Sequence, residues 1–105
     1  IAHDISTRKL DLGILICGTG IGMSITANKF PGVRAANVWD EYSARMAKAH
    51  NDANIVCMGG RAINYHRAVS YTKLWLETTF EAGRHVERLN KIREIEKKNF
   101  KIRTT

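Results

Sequence analysis

The chain has 105 residues, a formal net charge of +7 and an apolar fraction of 44%. That length fits one compact domain, residues 1–105, and that apolar fraction excludes a chain disordered throughout. No apolar run approaches the roughly 20 residues needed to span a bilayer, and Ile1-Ala2-His3-Asp4 does not read as a signal peptide.

Residues 1–11 read as the tail of a helix or an irregular lead-in. Leu12 to Cys17 (LGILIC) is a short Ile/Leu-rich run between Asp11 and a group of glycines, the pattern of a buried strand. Met23 to Lys29 reads as helical, closed by Pro31-Gly32, and Val33 to Val38 as a second strand. Asp40 is placed to cap a helix from Glu41 to His50, with Tyr42, Met46 and Ala49 along one stripe. Asn51-Asp52 breaks that helix. Asn54 to Met58 is a third strand, ended by Gly59-Gly60. Ala68 to Phe80 carries Val69, Leu74, Leu76 and Phe80 in a helical pattern, Ala82-Gly83 interrupts, and a charged helix follows from Val86 to about Lys98.

Strands alternating with helices predict an α/β fold, a three-layer Rossmann-like parallel sheet flanked by helices. The last, charged helix is expected to project. Three strands make a narrow sheet, which a further strand at the amino side would complete.

The stretch ICGTGIGMS places Gly18, Gly20 and Gly22 after a strand and before a helix. Glycines here let the backbone turn sharply and bring successive N–H groups toward one point, an anion cradle. The spacing GxGxG is neither the dinucleotide fingerprint nor a phosphate-binding loop ending in Gly-Lys-Ser/Thr. Cys17 stands at the mouth of the cradle, as a buried small hydrophobe or as a thiol activated for proton transfer.

With Cys57 also inside an apolar run and no paired-cysteine or HExxH spacing, a reduced, cytoplasmic protein without a metal site is expected. The positive charge suits nucleic acid or an anionic small substrate. Much of it lies from Arg84 onward, interleaved with Glu87, Glu94 and Glu96, as on a solvated helix face, so nucleic acid is the poorer fit.

His50 is either a surface histidine at a helix end or a proton-transfer group. Arg61, Arg84 and Arg88 carry guanidinium forks suited to phosphate, and the last two are four residues apart on one helix face; the alternative is a solvated basic face. His85, His3 and His66 are weaker candidates. Trp39, Tyr42, Tyr65, Tyr71 and Trp75 scatter as core or subunit contacts do, not as a base-stacking platform.

The stretches GILICGTGIGMSITANKFPGVRAA, AHNDANIVCMGGRAI and FEAGRHVERLNKI resemble the ribose/galactose isomerase family, which holds ribose-5-phosphate isomerase B and the galactose-6-phosphate isomerase subunits. The resemblance implies interconversion of ribose 5-phosphate and ribulose 5-phosphate through an enediolate, in the pentose phosphate pathway, with no cofactor. Cys17 then matches the proton-transferring cysteine, His50 the acid that opens the furanose ring, and Asn51 its hydroxyl-binding neighbour. Thr19 helps position the sugar, Gly18, Thr19, Gly20, Ile21 and Gly22 stabilise the oxyanion, and Arg61, Arg84 and Arg88 hold the phosphate. The resemblance also implies a homodimer, or a tetramer of paired dimers, with sites between two subunits, and no membrane partner.

The rival readings are an isomerase of allose or galactose 6-phosphate and a non-catalytic phosphate-binding module. Family members begin with a strand bearing an Asp-His pair, for which His3-Asp4 is no counterpart. The resemblance therefore implies an absent piece of about 30 residues or more, and weak or no activity from these 105 residues alone.

Overall fold

In the computed structural model, which describes residues 1–100, the elements follow in the order α1 (Ala2–Ser6), β1 (Gly13–Cys17), α2 (Ile21–Ala27), β2 (Ala35–Asn37), α3 (Glu41–Ala49), β3 (Ile55–Gly59), α4 (Tyr65–Glu77) and α5 (Ala82–Asn99). The three strands form one parallel sheet with β3 between β1 and β2. Gly13 of β1 and Ala35 of β2 both pair with Ile55, and Cys17 pairs with Gly59, so β1 and β3 end side by side. Each strand-to-strand connection carries a helix, as parallel pairing requires.

Alternation along β3 sends Ile55 and Cys57 to one face and Val56 and Met58 to the other. The first pair packs with Ile5, Ala27 and Val33 under α1 and α2; the second packs with Val38, Ala44, Ala47, Ile63, Tyr71 and Trp75 under α3 and α4. Trp75 is 1% exposed, and its indole N–H donates to the Ala53 carbonyl at 3.1 Å, so its one polar atom is satisfied.

Several local expectations shift. β3 is buried throughout, but β1 is not: Ile14 and Ile16, in register with Val56 and Met58, are exposed. β1 is an edge strand, and the helices that cover Val56 and Met58 stop short of it. On α3 the buried residues are Ala44, Ala47 and Ala49, whereas Tyr42 is exposed; small side chains let this helix lie close to the sheet. The Asp40 cap forms as expected, its carboxylate accepting the Ser43 N–H at 2.7 Å while the Ser43 hydroxyl accepts the Asp40 N–H.

α2 starts at Ile21 rather than Met23, which draws Gly22 into the helix. α4 starts at Tyr65, capped by Asn64 accepting the Arg67 N–H at 2.9 Å, and buries Tyr71 and Trp75 rather than Val69 and Leu76. Ala82-Gly83 does not interrupt; it forms the first turn of α5, and the break falls on the residues just before. First-turn N–H groups lack helical partners in any case, so a glycine is tolerated there. α5 is held at its start by buried His85 and Leu89 and projects beyond them, with Ile92 and Ile95 exposed. Among the described residues no helix is long and apolar enough to cross a membrane.

Candidate functional site

Cys17 ends β1, and the chain turns at once through Gly18-Thr19-Gly20 into α2. Gly20 has φ +84°, and a Cβ there would lie 2.7 Å from Asn37 Oδ1 and 3.0 Å from the Met58 carbonyl carbon. Only glycine fits. Gly59, which in the sequence marks the end of the third strand, is as constrained: a Cβ on it would lie 2.8 Å from the Thr19 carbonyl. Loop and strand end therefore meet backbone to backbone. Gly60 N–H donates to the Cys17 carbonyl at 2.6 Å, and Arg61 N–H to the Gly18 carbonyl at 3.2 Å. Gly22 has open space around its Cα, so the GxGxG spacing reflects one strict requirement rather than three.

The loop N–H groups turn toward the protein's own sulfur. Gly20 N–H donates to Cys17 Sγ at 3.1 Å. Backbone N–H groups of Met23, Gly20 and Thr19 hold the Cys17 thiol below its ordinary pKa, against the opposing effect of desolvation. Cys57, two residues before Gly59, is fully buried, and burial pushes its thiol up to about 11. The loop thus eases ionisation of one cysteine, and burial opposes it in the other. Thr19 Oγ1 accepts the Ile21 N–H at 3.2 Å, fixing the start of α2. The Arg61 side chain runs alongside Gly18. Cys17, Gly18, Thr19, Gly20 and Arg61 thus form one group at the carboxyl end of the sheet, with Ile21 and Gly22 beginning the adjoining helix.

His50, Arg84 and Arg88 form a second group elsewhere. α3 runs back against the strand direction, so His50 at its end lies beside the amino end of β3, where Ala53 N–H donates to the Ala47 carbonyl. β3 itself spans four steps, about 13 Å, and the full length of the sheet separates His50 from Cys17. Glu81 N–H donates to the Ala49 carbonyl at 2.9 Å, which docks the start of α5 on the end of α3. The result is a cavity of about 260 Å³ lined by His50, Arg84, His85 and Arg88.

His85 is 5% exposed and stacks on His50, with ring centroids 4.1 Å apart at 23°. Glu81 Oε1 lies 3.9 Å from His50 Nε2 and 3.7 Å from His85 Nε2. Arg84 Nε donates to His85 Nε2 at 3.4 Å. Burial, then the charges of His50 and Arg84, hold the His85 pKa below its ordinary value, with Glu81 opposing. Asn51 does not line this cavity: its amide donates to the Met46 carbonyl at 3.3 Å, closing α3.

Glu81 was not among the residues singled out in the sequence, and His85 ranked low. Their spacing of four on one helix was the only local signal. Among the described residues, the His50, Glu81 and His85 donor atoms all lie within 4.8 Å, a spacing compatible with a metal, although the guanidinium groups of Arg84 and Arg88 share the cavity and oppose a cation. A larger cavity of about 710 Å³ lies between α1 and α5, lined by Arg8, Arg34, Arg93 and Lys97 among others, and includes neither Cys17 nor His50.

A parallel sheet with a loop-activated thiol at its carboxyl end and a basic cavity at its amino end defines a class, and comparison with known proteins identifies it. Residues 1–92 match the family model described as Ribose/Galactose Isomerase. The chain is 46% identical over 99 residues to the ribose-5-P isomerase B of Listeria innocua, covering 94% of this chain and 67% of that one. It is 44% identical over 92 residues to the D-erythrulose-4-phosphate isomerase of Pectobacterium atrosepticum, covering 88% and 60%. The solved ribose-5-phosphate isomerase B of Clostridium thermocellum superposes with a TM-score of 0.91 at 47% identity, covering 94% of this chain and 67% of that chain. The chain belongs to the ribose/galactose isomerase family and is related to sugar phosphate isomerases; it spans about two thirds of the length of the relatives it matches.

Proposed function

We propose that this chain interconverts ribose 5-phosphate and ribulose 5-phosphate at sites built from two copies of itself. The observation that carries the reading is the Cys17 sulfur, held by the Gly20 N–H and lowered in pKa by the loop. Such a thiolate takes the proton from C2 of the open-chain aldose, leaving an enediolate. It returns that proton to C1 as the O2 hydroxyl proton passes to O1, which gives the ketose. Once the sulfur has taken up the proton, the loop N–H groups that held it as a thiolate are free to stabilise the charge on O1, and Thr19 positions the sugar.

Proton transfer alone does not open the furanose ring or hold the phosphate. His50 is the group for the first task, with Asn51 beside it for a substrate hydroxyl, and Arg61, Arg84 and Arg88 for the second. The separation of His50 from Cys17 along the sheet argues that one copy supplies Cys17, the loop and Arg61 to a site, and a second copy supplies His50, Asn51, Arg84 and Arg88. Exposed Ile21, Ile25, Ile92 and Ile95 offer apolar surface for that pairing. A homodimer is the smallest assembly that meets this need, and two free thiols suit a reducing, cytoplasmic setting.

The deciding experiment follows solvent deuterium entering C1 of ribulose 5-phosphate. Cys17→Ala should abolish exchange while leaving inorganic phosphate binding intact; exchange that survives the substitution sinks the reading. A second reading, a four-carbon ketose phosphate as substrate, draws on the Pectobacterium relative. Comparing kcat/KM on ribose 5-phosphate, D-erythrulose 4-phosphate and the two hexose 6-phosphates ranks them.

A further inference from the structure

We propose that Glu81 and His85 are positioning residues that ready His50 for ring opening, and that they have no part in the proton transfer at Cys17. The inference rests on the isomerase reading above. Glu81 Oε1 is almost equidistant from the two imidazoles, at 3.9 Å from His50 Nε2 and 3.7 Å from His85 Nε2. The two rings are not equivalent, however. A guanidinium N–H is always a donor, so the Arg84 contact at 3.4 Å makes His85 Nε2 an acceptor and places its proton on Nδ1. His85 Nε2 therefore has no proton to offer Glu81. The carboxylate is left to His50, whose Nε2 it faces at ion-pair distance rather than hydrogen-bond distance, so that it stabilises the protonated imidazole and leaves Nδ1 as the nitrogen that exchanges a proton with the sugar.

His85 has a different task. It is buried, its Nε2 is held by Arg84, and it lies flat against His50. A neutral ring in that place fixes the plane of the His50 imidazole without adding charge beside it. The charged and titratable groups facing His50 from α5 are Glu81, Arg84, His85 and Arg88; those nearest on its own side of the chain are Lys48 and Asp52, which lie 4.0 Å apart. Glu81 is thus the anion that offsets Arg84 and Arg88 when His50 carries a proton. Its place is set by the backbone bond from Glu81 N–H to the last α3 carbonyl, so the arrangement is built into the junction of α3 and α5.

In the step itself the C1–O4 bond breaks and its electron pair goes to O4, which takes the proton from His50. The O1–H electron pair becomes the second bond of the carbonyl, and the O1 proton passes to solvent, from which His50 is recharged. A furanose needs this step. Ribulose 5-phosphate does not, because its 5-oxygen carries the phosphate and no five-membered ring can close on C2.

The two substrates therefore separate ring opening from proton transfer. In Glu81→Gln, turnover of ribose 5-phosphate should fall roughly 10- to 100-fold, by analogy with the carboxylate partners of metal-bound histidines, while deuterium exchange at C1 of ribulose 5-phosphate stays within about twofold of the unsubstituted chain. Glu81→Asp should recover part of the lost turnover. The exposed position of Glu81 keeps folding intact, to be checked by an unchanged thermal midpoint. His85→Asn should show the same split. Equal loss of both activities in Glu81→Gln, or loss of neither, overturns the proposal and leaves the isomerase reading standing. Turnover that requires an added divalent cation and loses that requirement in Glu81→Gln also overturns it, since the carboxylate is then a metal ligand. An unsubstituted protein that catalyses neither reaction even when extended at the amino side by the strand with which family members begin sinks the isomerase reading, and the proposal with it.

Discussion

At the carboxyl end of the sheet Cys17 is held by backbone: N–H groups of Met23, Gly20 and Thr19 surround its sulfur, and Gly20 and Gly59 leave no room for a Cβ. At the amino end His50 is held by side chains, with Glu81 beside it and His85 against its ring face. Backbone donors do not titrate and are removed by no substitution except proline, so the first region changes through its glycines and fails as a unit. The second region is adjustable, because each side chain in it can be altered alone and the buried His85 responds to pH. A proton-transferring thiolate gains from the first kind of support, and a group that must gain and lose a proton in each cycle gains from the second.

The strongest challenge to this division is complementation. Cys17→Ala and His50→Asn should each lose roughly 10²- to 10⁴-fold in turnover of ribose 5-phosphate. Mixing equal amounts after dissociation should restore about a quarter of the full rate, since half the random dimers are mixed and each holds one intact site of two. No recovery would mean that the two regions do not meet across copies.

Gly59→Ala comes next. Its Cβ would meet the Thr19 backbone, so the chain should lose about 1–3 kcal/mol in urea unfolding and turnover should fall, while phosphate still binds at the amino end. Retention of full turnover would show that the backbone nest is not what arms Cys17.

Alkylation gives a smaller but cleaner signal. Because the loop N–H groups lower the Cys17 pKa from its ordinary value, its thiolate fraction at a given pH exceeds that of a cysteine without them. The iodoacetamide rate at Cys17, followed by mass spectrometry, should reach half its maximum at a lower pH than a free cysteine does, with Cys57 unlabelled until the chain unfolds. Coincident profiles would sink the argument.

The smallest effect concerns His85. Its folded pKa lies below the unfolded value of about 6.5, so the unfolded state binds more protons between the two, and stability falls as pH drops through that window. The thermal midpoint should decline on acidification below about pH 6.5, and His85→Asn should flatten the decline.

Much of the architecture was legible because short apolar runs bounded by glycine, proline and Asp-type caps mark strands and helix starts locally. Asp40 is the plainest case. Sequence misled where burial depends on neighbours. LGILIC reads as a buried strand, yet its place at the sheet edge leaves Ile14 and Ile16 uncovered. Ala82-Gly83 reads as a break, yet the first turn of a helix accepts it.

The site divides in the same way. The glycine loop is contiguous, so ICGTGIGMS announced it. The amino-end cluster joins His50 to residues more than thirty positions later, through a junction that only the fold reveals. Asn51 is a limiting case: its type fits both a sugar ligand and a helix end, and in the single chain it closes α3.

The exposed flank of β1 has a consequence for handling the protein. β1 pairs with β3 on one side, and its outer side has no strand beside it among the described residues. Unpaired peptide groups next to exposed Ile14 and Ile16 form a template for a strand from another molecule. An edge left open in this way accepts whatever strand is supplied to it, from the same protein or from another copy.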